Sequence, residues 1–145
     1  MTNQAMARDL LAALCFLQGL ATLVIDLNRT HATHPQWLGH ARFHLVWQAM
    51  AFALLAVLEV ILILAGGLLR DQRFYLAAVL ASIPMLGFFA ALTGRSVYKG
   101  TLSDPNGIPP MTITIPGSDR RIDLNLVAEC GGVLALAVII LLYRH

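Results

Sequence analysis

Four long apolar blocks, Leu10 to Ile25, Phe43 to Leu69, Phe74 to Leu92 and Leu124 to Tyr143, take up most of this 145-residue chain. Each approaches or exceeds the ~20 residues that carry an α-helix across a hydrocarbon core. A backbone in lipid must satisfy its own hydrogen bonds, so blocks of this length fold as helices. The expected fold is all-α, an integral membrane antiparallel four-helix bundle with a partly structured loop between helices three and four. It forms one domain over residues 1–145, with spans at about 7–27, 41–69, 73–94 and 123–143. Composition agrees: 58% of residues are hydrophobic, 12% are charged and the mean hydropathy is +0.72, far from the balance of a soluble domain.

The first block is not read as a cleaved leader. Only Arg8 precedes it as a basic residue, and no small-x-small cleavage site follows before Asp26, so it is taken as a retained first helix. Cys15 and Cys130 both fall inside spans, where neither is placed for an extracellular disulfide. The net charge of +2 is scattered over span ends without a run of one sign, which gives nucleic-acid binding no support.

Between spans two and three, RDQR (Arg70 to Arg73) reads as a tight hairpin carrying arginines of the kind found on the cytoplasmic side. With Arg8 and Arg144 it gives that face four basic residues, against six opposite: Arg29, Arg42, Arg95, Lys99, Arg120 and Arg121. The count alone points the other way. The compact arginine hairpin and termini, set against longer loops on the other face, favour a bacterial inner-membrane protein with both termini cytoplasmic. In the third loop DPNG (Asp104 to Gly107) is a turn signal, and MTITI (Met111 to Ile115), bracketed by prolines, reads as one strand of a short hairpin. Ser118 and Asp119 are expected to cap the fourth helix.

Polar groups inside the spans need an account, because an ionisable side chain near the bilayer centre costs ~2.5 to 3.5 kcal/mol on insertion scales. Glu59, counted inward from Arg70, lies roughly 16 Å deep. Gln18 and Ser82 reach comparable depths, so the three are expected to form a midplane layer. Glu59 there serves either as interhelical glue, hydrogen-bonded to Gln18 or a carbonyl, or as a proton-relay or substrate group. Glu129 sits higher, roughly 8 Å below the outer end of span four, one turn beyond Asn125, with Gln48 of span two at a similar level. Gly131 and Gly132 next to it permit close helix packing.

Above that second layer the segment DLNRTHATHPQWLGHARFHLVWQ, Asp26 to Gln48, holds four of the five histidines. His40 and His44 are an i,i+4 pair on one face of the start of helix two, the spacing that two ligands of one metal require. At 100° per residue His40, His44, Gln48 and Glu59 fall on one stripe, expected to face the bundle interior, although Glu59 lies about 22 Å along the axis from His44. Asp26, His31, His34 and Glu129 are candidate partners of the pair. Imidazole and carboxylate suit a divalent transition metal without choosing one. An open coordination position would supply a Lewis acid or an activated water. The competing reading is an interfacial belt in which the histidines, Trp37, Trp47 and Arg42 sit at headgroup level. Asn28-Arg29-Thr30 is a formal glycosylation sequon, too close to the membrane for easy modification.

The pattern T-H-x-x-x-P-x-W-x-x-H-A-x-F-H, here Thr30, His31, Pro35, Trp37, His40, Ala41, Phe43 and His44, resembles the signature of an uncharacterised family of small four-span membrane proteins. That resemblance implies membrane residence and a shared loop, and carries over no activity; His34 is an addition to the pattern. Two functions are compatible with these residues. In the first, a small membrane protein acts on a lipid-like or quinone-like molecule at the outer interface. His40, His44 and Glu129 are its acid/base groups, or His31, His40, His44 and Asp26 its metal ligands. In the second, a non-catalytic accessory subunit of a larger membrane complex uses the same residues to fix helix register and bind a partner loop. Gln18, Gln48 and Glu59 are the intramembrane polar residues of the bundle.

Overall fold

A computed structural model describes residues 2–103, 110–115 and 118–145. Four helices, α1 (Asn3–Asp26), α2 (Gly39–Leu64), α3 (Arg70–Gly94) and α4 (Leu124–Arg144), are each long and apolar enough to cross a membrane. They form the expected bundle. Each helix packs on its sequence neighbour and α4 returns to α1, while α1 and α3 barely touch across the diagonal. The α1–α2 and α3–α4 loops mark one end, called the mouth below; the termini and the α2–α3 connection mark the other, the base.

The third loop contains a two-stranded antiparallel hairpin, β1 (Met111–Ile115) and β2 (Ser118–Ile122), with Met111 opposite Ile122 and Ile115 opposite Ser118. MTITI is thus a strand, as its alternation predicts, while DPNG lies outside the described residues. Ser118 and Asp119 belong to β2 and do not cap α4. Asp123 does: its carboxylate accepts from the backbone N–H groups of Asn125 at 2.9 Å and Leu126 at 3.1 Å.

Span two ends sooner than its apolar run. The run continues to Leu69, but α2 stops at Leu64, and Gly67 adopts φ 101°, a conformation only glycine enters without strain. RDQR is consequently the first turn of α3 and not the hairpin itself, which is made by residues 65–69. Arg73 donates back to the Gly66 carbonyl at 2.6 Å and closes the connection.

The buried core is concentrated in the base half. Leu11, Cys15, Ile63, Phe74, Ala77, Ala78, Ala81, Met85, Leu136, Ile139 and Tyr143 are all within it, with Phe74 stacked on Tyr143 at 3.7 Å between ring centres. Halfway up, α1 and α2 are in close contact at Gly19. A Cβ there would lie 2.6 Å from the Cβ of Ala56 and 3.5 Å from the Cα of Ala53, so the crossing exists because Gly19 has no side chain. Gly132 of α4 likewise faces the Met85 side chain of α3, whereas Gly131 faces open space.

Candidate functional site: a polar cavity in the mouth half of the bundle

α1 repeats polar residues at Gln18, Thr22 and Asp26, four apart, which places all three on one helix face. That face lines a cavity of about 800 Å³ in the mouth half of the bundle, to which all four helices contribute. Gln48 comes from α2, and Asn125 and Glu129, one turn apart, from α4; Phe52, Ile83, Pro84, Met85 and Phe88 supply apolar wall. The volume lies in the range typical of small-molecule sites, and so does the lining, mostly apolar with a few convergent polar groups.

Within this wall some polar groups are already engaged. The Gln18 amide reaches the Ala81 carbonyl of α3 at 3.4 Å, and the Thr22 hydroxyl donates to the Gln18 carbonyl at 2.9 Å. Asp26 and Glu129 are half-buried, and among the described residues no arginine, lysine or histidine lines the cavity with them. Asp26 is close enough to His31 for their charges to interact, and its backbone carbonyl accepts from the N–H of Ala32 at 3.0 Å. The electrostatic character of the cavity is therefore acidic and hydrogen-bonding.

The histidines do not join it. His40 and His44 are exposed on the flank of α2, their Nε2 atoms 3.1 Å apart and their rings at 89°. His44 also tilts against Trp47 at 5.8 Å, and both Trp47 and Phe43 are exposed beside it. The single interior stripe expected on α2 is thus divided. His40 and Glu59 differ by 100° around the helix, enough for the stripe to turn from the flank at the lip, through the cavity at Gln48, to full burial at Glu59. His31, with its ring edge on Trp37 at 5.8 Å and Nδ1 2.7 Å from the Thr30 hydroxyl, stays in the loop. Among the described residues no group of three or more histidines, cysteines, aspartates or glutamates is placed to hold a metal, so the four-residue set His31, His40, His44 and Asp26 does not assemble.

His34 has a structural task. It is buried, its Nδ1 accepts from the Gln36 N–H at 3.2 Å, and its carbonyl accepts from the Arg42 guanidinium at 2.6 Å. Asn28 is equally committed. It donates to the Val24 carbonyl at 3.0 Å and accepts from the N–H and hydroxyl of Thr30, so the N-R-T triplet is a turn at the end of α1.

The midplane layer also departs from expectation. Glu59 is 1% exposed and its Oε1 has no hydrogen-bond partner among the described residues; its neighbour across the α1–α2 seam is Cys15, not Gln18. Ser82 turns back to the Val79 carbonyl of its own helix at 2.6 Å. Below them lies a residue that sequence reasoning treated only as a topological charge. Arg8 is buried and donates to the carbonyl of Ile63, in the last turn of α2, where backbone acceptors lack intrahelical partners.

Fold and cavity together define a small four-span membrane bundle with an acidic, hydrogen-bonding pocket at its loop-bearing end. No family model, curated protein or solved structure matches the chain.

Proposed function

We propose that this protein binds an amphiphilic small molecule in the mouth-half cavity, the apolar body against Phe52, Ile83 and Phe88 and a hydrogen-bond-donating or cationic head among Gln48, Asn125, Glu129 and Asp26. The observation that carries this reading is the pairing of two carboxylates with amides in a mostly apolar pocket that, among the described residues, no basic side chain lines. A carboxylate in such surroundings gains most from a ligand that brings the missing donor, since burying an unpaired charge is costly. Glu129 and Asp26 are then the acid/base groups toward a bound molecule, and His31 of the loop is near enough to Asp26 to interact with its charge. The binding site is on the outer side of a bacterial inner membrane, with both termini cytoplasmic, a placement supported by Arg70, Arg73 and Arg144 at the base. In this reading the α1–α2 loop is a scaffold for the lip, with His34, Trp37 and, from α2, Arg42 holding the loop over α1 and α2.

The test compares a single-chain alkylammonium with an alkyl sulfonate of equal length, bound to the full chain in lipid nanodiscs. The ammonium is expected to bind more tightly, by about tenfold or more. Glu129→Gln and Asp26→Asn should each erode that preference, and Ala128→Trp, which projects an indole from the cavity wall, should weaken binding of both. Equal affinity for the two probes, or binding untouched by Ala128→Trp in a folded variant, would overturn the proposal.

A further inference from the structure

Outside the cavity, the sharpest piece of geometry is the pair of imidazoles on the flank of α2. His40 and His44 lie in its first two turns, exposed, with Nε2 facing Nε2 across 3.1 Å. As a hydrogen bond this contact uses one Nε2–H and one Nε2 lone pair, so the two rings are opposite tautomers. A second use of the same spacing follows from coordination distances. Two nitrogens 3.1 Å apart, each ~2.05 Å from a common metal, subtend an angle of about 98° at it. That angle falls between the tetrahedral value favoured by zinc and the right angle of tetragonal copper(II).

We propose that His40 and His44 form a two-nitrogen chelate for one divalent transition metal of the zinc or copper(II) kind, on the outside of the bundle and separate from the cavity. The pair is pre-arranged. Both side chains already point their Nε2 atoms at one locus, helix α2 holds the i,i+4 register, and the tilted Trp47 ring lies beside His44. Loading the metal asks for one internal change: the ring that carries Nε2–H moves that proton to its Nδ1 through water, freeing the second lone pair. No net proton is released when both rings start neutral. Because no third protein donor among the described residues joins them, water fills the remaining positions and the ion is exchangeable. This differs from a structural zinc centre, which is closed by four protein ligands. Exposed Phe43 and Trp47 anchor this flank at headgroup level, where water and ions reach it.

The experiment is a calorimetric titration of tag-free full-length protein in nanodiscs with Zn(II), with nitrogen couplings in the electron paramagnetic resonance spectrum of the Cu(II) form as a second readout. One metal per chain and two coordinated nitrogens are expected. His40→Ala and His44→Ala should each weaken binding by about tenfold or more, while His31→Ala and His145→Ala leave it unchanged. Both residues are exposed, so truncation removes no side chain from the buried core; His40→Asn and His44→Asn provide the same test should either alanine variant fold poorly. Combining His44→Ala with Leu45→His keeps the histidine count and turns the second ring ~100° around the helix, and is expected not to restore binding. Absence of metal uptake by the wild type, indifference to the His40 and His44 variants, or restoration by Leu45→His each overturns the chelate. None of these outcomes bears on the amphiphile cavity.

Discussion

The hydroxyl of Tyr143 donates to the Asp71 carboxylate at 2.6 Å and thereby ties the last turn of α4 to the first turn of α3. The Tyr143 ring is buried, stacked on Phe74 at 3.7 Å and met edge-on by Tyr75 at 5.7 Å. The same residue therefore supplies apolar area to the core and a charge-assisted hydrogen bond to its rim.

Tyr143→Phe separates these two contributions. The ring stack survives while the hydrogen bond is lost, so stability in mild detergent should fall by ~1.5 to 3 kcal/mol, the value of a hydrogen bond to a charged group. Asp71→Asn should lose less, because an amide oxygen still accepts. Equal melting temperatures for wild type and Tyr143→Phe would show that Asp71 prefers water.

Gly19 makes a different demand. Its missing Cβ leaves no room against Ala56, at 2.6 Å for an ideal Cβ, so Gly19→Val must push α1 away from α2. Overpacking of this kind costs ~1 to 3 kcal/mol. Thermal or SDS titration should register it, and Ala56→Gly in the same chain should recover part of the loss because it removes the atom met first. By contrast Gly131→Ala, which meets nothing within 4 Å, should be silent or slightly stabilising.

Glu59 offers the reverse case, a substitution expected to help. Its Oε1 is buried without a partner, and a polar group so placed costs ~1 to 3 kcal/mol by mutational measures. Glu59→Met, of similar length, should hold or raise the stability of the bundle. A loss of several kcal/mol would mean that the carboxyl has a partner in the membrane, with Cys15 the first to examine by Cys15→Ala in the same background.

The four helices and the strand at Met111–Ile115 were legible because each rests on a local pattern: span-length apolar runs and strict alternation between prolines. The end of α2 was less so, since Gly66 and Gly67 sit inside an apolar run and only the positive φ of Gly67 shows that the chain turns there. Capping by Asp123 was missed because three candidate oxygens, on Ser118, Asp119 and Asp123, precede α4, and the hairpin register decides among them. In the site, Glu129, Asn125, Gln48, Gln18 and Asp26 do line one cavity. Thr22 joined them unannounced, although its spacing of four from both Gln18 and Asp26 was open to inspection. The histidines misled. An i,i+4 pair states only that two side chains share a face, and the face turned out to be the flank, because helical drift of 40° per four residues separates His40 from the interior direction that Glu59 defines. Arg8 gave no signal at all, since a basic residue at a span end reads equally well as a surface charge or as a cap on a neighbouring helix.

The stacked rings of Phe74 and Tyr143, with Leu11, Ile63 and Ile139 around them, give this vessel a floor. In the proposed binding role, a guest enters and leaves through the upper storey, above this floor.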